Sequence, residues 1–240
     1  CNEGILEWVD IDEVWKLNLW EGDKIFFRLL DDNIAFFSLK LVYNLQGQLE
    51  SATLNGKPME MFDVIDENGN KTGSIKERGV VHREGTLHAT AHIWIARENE
   101  KSGYDILLQK RSSIKDSHPG CYDISSAGHI CAGDSVLESA LRELHEELGI
   151  DAKSEHLKEF GVQYKNYEGE FYGKPFKDRQ RSILYLYSEP LDEKSLVLQE
   201  SEIESVIWMD YLEALQAIRE NTIKHCIYEE EFCKLGKALG

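Results

Sequence analysis

A mixed α/β (α+β) fold is what this sequence predicts, on three observations. Between Ser135 and Gly149 the chain carries an amphipathic helix with both ends written locally: Ser135 as N-cap with Glu138 three residues on, and Gly149 where a left-handed cap belongs. Upstream, Leu87, Ala89, Ala91, Ile93 and Ile95 alternate at the period of a strand, and Asp105–Arg111 reads as its neighbour. Elsewhere, short β-prone runs alternate with turn-prone residues, so helix and strand are interleaved.

The elements follow in order. Phe37–Tyr43 and Leu49–Leu54, separated by Asn44-Leu-Gln-Gly-Gln48, read as a β-hairpin. Asn55-Gly56-Lys57-Pro58 is turn-prone throughout and marks a linker, which divides the chain into residues 1–58 and 59–240. Met61–Ile65, the turn Asp66–Asn70 and Gly79-Val-Val-His82 suggest a hairpin-like start to the second unit. Beyond the central helix, Phe160–Tyr164 and Ser182–Tyr187 read as strands around a loop. A weak internal repeat links the two units: Trp8-Val-Asp-Ile-Asp-Glu-Val14 has the pattern of Trp208-Met-Asp-Tyr-Leu-Glu-Ala214, each leading into an amphipathic helix pattern.

Composition bounds the function. At 240 residues and 42% hydrophobic content the chain can bury a core, while a formal charge of −17 argues against binding a nucleic-acid polymer or an anionic membrane. A phosphorylated substrate would be repelled without a cation. Five cysteines, Cys1, Cys121, Cys131, Cys226 and Cys233, form no C-x-x-C pair, and free thiols point to a reducing cytoplasm. No apolar run approaches the ~20 residues of a membrane span.

The faces of the central helix carry the chemistry. Leu137, Leu141, Leu144 and Leu148 form one stripe, whereas Glu143, Glu146 and Glu147 share another face by i+3 and i+4 spacing. Crowded carboxylates repel one another, and a hard divalent cation such as Mg²⁺ or Mn²⁺ relieves that repulsion. Taken alone, the same face also fits a solvated acidic surface.

The stretch as a whole resembles the Nudix box, in which a glycine, five residues, Glu and seven residues precede Arg-Glu-apolar-x-Glu-Glu-x-Gly-apolar. Here these are Gly128, Asp134 and Arg142-Glu143-Leu144-His145-Glu146-Glu147-Leu148-Gly149-Ile150, with Asp134 standing where the family has Glu. The resemblance implies an α/β/α sandwich and hydrolysis of a small-molecule diphosphate, such as a nucleoside diphosphate linked to another group. It further implies Glu143, Glu146, Glu147 and the Gly128 carbonyl as ligands of Mg²⁺ or Mn²⁺, which neutralises the diphosphate and acidifies water. Glu202 resembles the extra metal carboxylate of some members, and Arg142 orients Glu143. Asp134 reaches roughly 1.5 Å less far than Glu, so its bond to the box arginine would need the loop to move inward or accept a water.

The surroundings narrow the resemblance to bacterial Nudix hydrolases related to isopentenyl-diphosphate isomerase. Val81-His82-Arg83-Glu84-Gly85, His88, Leu108-Gln-Lys-Arg-Ser112, Lys115, Pro119-Gly120 and Ala127-Gly128-His129 carry it. Isomerases place a proton-donating cysteine two residues before the counterpart of His129, and Ala127 stands there, which favours a hydrolase over an isomerase. Asp134 leaves a silent binding module as a third reading. Individually, His82, His88 and His129 read as hydrogen-bonded structural residues. Residues 17–43 resemble the tail of an 8-oxo-dGTP diphosphatase-type Nudix domain, so residues 1–58 are expected to pack separately and to supply no catalytic group.

Arg111, Lys115, Tyr164, Arg179 and Arg181 are the expected substrate-binding residues. Tyr167, Phe171, Tyr172 and Phe176 lie near them, where aromatics and arginines stack a base and grip phosphate or else pack strands. Assembly as a homodimer is left open.

Overall fold

The protein is described by a computed structural model, which covers residues 7–101, 103–115, 117–171 and 173–240, the side chain of residue 12 aside. A 3₁₀ turn (Ile11–Lys16) leads to α1 (Glu21–Asp31), β1 (Leu39–Tyr43), β2 (Leu49–Leu54), β3 (Lys57–Pro58), β4 (Met61–Ile65), β5 (Lys71–Glu77) and α2 (Arg78–Glu84). Then come β6 (His88–Asn99), β7 (Gly103–Arg111), β8 (Tyr122–Asp123), β9 (Ser126–His129) and α3 (Val136–Leu148). β10 (Leu157–Phe171), β11 (Lys174–Tyr187), β12 (Ile203–Asp210), α4 (Tyr211–Glu220) and α5 (Glu229–Leu239) follow.

The central sheet runs β10-β11-β6-β7-β12, with β9 on β6 and β8 on β7. It is mixed: β11 pairs with β6 in parallel, and the other pairs are antiparallel. β6 is buried on both faces, as a sheet covered by helices requires. Ala91, Ile93 and Ile95 face Ala140, Leu144 and Leu148 of α3, while Trp94 and Ala96 face Ala214 and Ile218 of α4 and Phe232 and Leu235 of α5. The predicted α/β/α sandwich is therefore the observed one.

Local signals set α3. Ser135 Oγ accepts from the Glu138 amide at 3.2 Å, and Gly149 closes the helix at φ 71°. The expected hairpin is β1–β2, but its supposed linker is structured: Asn55-Gly56 turns the chain into β3, which pairs with β2. Gly79–His82 is helical rather than extended, because Glu77 caps the Val80 amide and Gly85 ends the helix at φ 72°. The stretch expected as a loop between residues 164 and 182 belongs to a long β10–β11 hairpin; Tyr172 lies outside the described residues. Trp208 lies in β12 before α4, whereas Trp8 lies in no strand and is fully exposed.

A third core joins the two parts of the chain. Ile25 and Leu29 of α1 and Leu49 and Ala52 of β2 pack with Met61 and Val80, with Ile75 and Ala132 at its border. Residues 7–58 thus have their own sheet but share their interior with α2 and β4. Leu29→Ala should destabilise the whole chain by about 2–5 kcal/mol, as for a buried leucine. Denaturant unfolding checks this: the transition reported by tryptophan fluorescence should shift together with the one reported by far-UV dichroism.

Candidate active site

The α3 carboxylates open into a cavity of about 630 Å³ bounded by β9, α2, β11 and the segment before α5. Glu147 is buried and its Oε2 accepts from the Ala127 amide of β9 at 3.2 Å. Glu143 lies against Gly128, where a Cβ would come within 2.1 Å of its carboxyl carbon, so a side chain there would displace the Glu143 carboxyl. Glu146 is exposed at the rim.

Burial pushes the Glu143 carboxyl up to about 7, reinforced by Glu146 and Glu60 and opposed by Arg142. Glu147 is pushed up to about 8, again by burial first and then by the charges of Glu143 and Glu202. A raised carboxylate pair beside a glycine carbonyl is short of positive charge. Glu143, Glu146 and Glu147 thus share one wall of the cavity with Gly128.

Arg142 reaches Asp134 directly, Nη1 to Oδ2 at 2.7 Å, and its Nη2 stands 3.6 Å from Glu143 Oε1. No water and no longer side chain is needed: the loop closes the distance that the shorter residue leaves.

Arg111, Lys115 and Glu202 also line the cavity. Lys115 is ion-paired to Glu202, and Arg111 to Asp123 at 3.1 Å, with further bonds from Arg111 to the Ser117 carbonyl. Tyr164, Arg179 and Arg181 do not line it, which corrects the expectation that they bind substrate there. Strand alternation is the reason: Lys165, Asp178 and Gln180 face the cavity, so their neighbours face away. The Tyr164 hydroxyl donates to the Glu67 carbonyl at 2.8 Å, Arg181 Nε donates to that hydroxyl, and Arg179 pairs with Glu67. Together they fasten the β4–β5 turn to the hairpin.

Several lining residues carry no sequence signal. Arg78 pairs with Glu60 at 2.8 Å, and Lys165 with Asp178 at 3.0 Å. His92 Nδ1 lies 3.0 and 3.1 Å from the two oxygens of buried Glu231, which also accepts from Trp94 Nε1. These partners lie 13 to 139 residues apart, beyond any local pattern.

His82, His88 and His129 converge, with ligand atoms within 4.8 Å of one another. Burial holds all three below the ordinary histidine range, His82 at about 4, so the rings are neutral. Phe62 stacks on His129 and His88, and Phe176 on His82. Nε2 of His88, Nε2 of His129 and Oδ1 of Asp178 are buried without a hydrogen-bond partner. Such a set suits an ion that prefers imidazole, unlike the oxygen set on α3. Spacing hid it, because the rings come from α2, β6 and β9.

Comparison with known proteins agrees with this geometry. A sequence model described as the NUDIX domain matches residues 86–230. Nudix hydrolase 3 of Arabidopsis thaliana is 41% identical over 159 residues, which cover 64% of this chain and only 20% of that protein. An uncharacterized Nudix hydrolase of Clostridium acetobutylicum is 35% identical over 164 residues, 68% of this chain and 76% of its own length. An isopentenyl-diphosphate Delta-isomerase of Serratia proteamaculans is 33% identical over 104 residues, 43% of this chain and 55% of that one. In fold, a Deinococcus radiodurans protein superposes with TM-score 0.53 at 14% identity, over 73% of this chain and 98% of its own. With the box on α3, a family match over more than half its length and an α/β/α sandwich around the carboxylates, the chain belongs to the Nudix family.

Proposed function

We propose that the protein hydrolyses a diphosphate linkage in a nucleoside diphosphate derivative or a related small phosphorylated molecule, with Mg²⁺ or Mn²⁺ as cofactor. The observation that carries this reading is the placing of half-buried Glu143 against Gly128 and of buried Glu147 against the Ala127 amide, on the wall of a cavity large enough for such a substrate. When bound there, the cation neutralises diphosphate charge and makes water a better nucleophile at neutral pH.

The chain's own groups do the rest. Arg142, held by Asp134, fixes the position of Glu143. Water attacks one phosphorus, the bridging P–O bond breaks, and the freed phosphoryl oxygen leaves with the second group, while a carboxylate takes the proton of the water. Glu143, Glu60 and Glu202 line the cavity and compete for that role. Arg78, Arg111, Lys115 and Lys165 supply positive charge to the phosphates, each exchanging part of its contact to a carboxylate for a phosphate oxygen. The four described thiols are unpaired, which fits action in the cytoplasm.

The isomerase relative supports a second reading, and Ala127 opposes it. Ala127 lines the cavity and offers no proton, while Cys121 is buried and Cys131 stands beside Arg142.

A panel of nucleoside diphosphate derivatives with Mg²⁺ should release phosphate-containing products; double-bond isomerisation of isopentenyl diphosphate without such release would instead establish the second reading. In the same assay Glu146→Gln and Glu147→Gln should lose turnover, and calorimetry should show metal affinity down at least about tenfold. Unchanged affinity in both removes α3 as the metal site.

Because Asp134 already bonds Arg142, Asp134→Glu should change the rate by less than about tenfold, against the ~10²-fold that misplacement by ~1 Å can cost. An inactive wild type switched on by that change would mark a binding module.

Without metal, the raised Glu147 carboxyl makes a pH prediction. The folded chain holds that proton more tightly than the unfolded one, so there is no penalty at low pH and a growing one as pH rises from the ordinary carboxylate range through about 8. Thermal melts in chelator should therefore show the wild type losing stability relative to Glu147→Gln between pH 5 and pH 8. Added Mg²⁺ should flatten that difference, and parallel pH curves would contradict the assignment.

A further inference from the structure

Residues 7–58 hold no group that lines the cavity, yet their first helix is fastened along the helix that does. α2 presents Arg78 and His82 to the cavity, and α1 packs on its far side. Lys24 pairs with Glu84 at 2.9 Å, Asp31 with Arg83 at 2.6 Å, and Arg28 with Glu77 through two bonds, Nε to Oε2 and Nη2 to Oε1, both 3.0 Å. Ile25 and Leu29 fill the space between and touch the core around Val80.

The Arg28 contact differs from the other two in what it holds. Glu77 is the N-cap of α2, buried, with Oε2 also accepting from the Val80 amide. The next residue is Arg78, whose amide donates to the Glu60 carbonyl and whose guanidinium bonds the Glu60 carboxylate at the cavity. The Arg28 side chain lies across Gly79, where an added Cβ would come within 2.5 Å of its Nε. The planar fork of Arg28 thus fixes both oxygens of the cap and covers the first turn of α2. Direction at that turn sets where the Arg78 guanidinium enters the cavity.

We infer that α1 is a brace built into the chain for the active site, with Arg28 as a positioning residue that acts through Glu77 to hold Arg78 on the cavity wall. Arg28 touches no substrate. Asp31, two residues beyond Leu29, holds the opposite end of α2 through Arg83 and serves as the comparison. The kinetic part of the inference rests on the proposed hydrolase reading, whereas its structural part does not.

The test uses the full chain carrying Arg28→Ala, Arg28→Lys or Asp31→Asn, each studied well below its melting temperature. Three readouts are taken: the side-chain Nε–H resonance of Arg78 by NMR, the affinity for inorganic pyrophosphate with Mg²⁺, and KM and kcat on the substrate the wild type turns over fastest. In Arg28→Ala the Arg78 resonance should move, pyrophosphate affinity should fall about tenfold, and KM should rise by a similar factor with kcat changed less than about threefold, the pattern of lost binding contacts. Arg28→Lys, keeping the charge but not the fork, should recover part of the affinity. Asp31→Asn should lower the melting temperature and leave KM within about twofold.

An unmoved Arg78 resonance in folded Arg28→Ala overturns the brace. So does a KM that rises in Arg28→Ala and Asp31→Asn alike, in proportion to lost stability. A wild type that turns over nothing on the panel while Arg78 still moves in Arg28→Ala sinks the hydrolase reading and leaves the brace standing.

Discussion

The fold is arranged so that two carboxylates of α3 are taken out of water beside a strand that has no side chain at one position. Burying an ionised carboxylate is costly unless it is paired. Here Glu147 has one amide donor and Glu143 has Arg142 at 3.6 Å, so the compensation inside the chain is partial. The rest of the α3 surroundings make sense from that deficit. The leucine stripe presses the helix onto Ala91, Ile93 and Ile95, Gly128 leaves room for the Glu143 carboxyl, and the capped ends keep the helix in register.

The cavity deals with its cationic side chains in a consistent way. A chain of net charge −17 cannot attract an anionic ligand by its overall field, so local positive charge has to be stored where it is needed. Arg78, Arg111, Lys115 and Lys165 are each held against a carboxylate at the cavity wall. Stored in this way the cations are oriented before a ligand arrives and lose less side-chain freedom on binding it. The cost is that each must give up part of an existing contact, which favours ligands bearing several negative oxygens over a single carboxylate.

How much of this was legible in the sequence depended on the range of the interactions. α3 could be read residue by residue because its caps, its stripe and its acidic face are all local. Strands β4, β6 and β7 were readable from alternation, since each has at least one face in a core. α2 was misread because Gly79, Val80 and Val81 favour other structure locally. It is helical because Glu77 caps it and Val80 and Val81 are buried by elements far away in sequence. Within the site, Arg111, Lys115 and Glu202 were found through their resemblance to a family pattern. Tyr164, Arg179 and Arg181 were misplaced by a single step of strand parity. His92 with Glu231, and Arg78 with Glu60, depend on contacts that no short window contains.

The cavity also separates two kinds of ligand atom. At α3 the groups are carboxylate oxygens, two of the carboxyls raised by burial. Across β9 the donors are the neutral imidazoles of His82, His88 and His129, whose low proton affinity keeps their lone pairs open at neutral pH. β9 carries both ends of this division: Gly128 approaches the oxygen set, and His129, the next residue, points to the nitrogen set because neighbours on a strand face opposite ways. A single short strand, fixed to β6 by the Thr90–His129 and Ile93–Ser126 register, therefore sets the distance between two chemically distinct groups of side chains. Moving it by one residue would exchange the faces and leave neither set assembled.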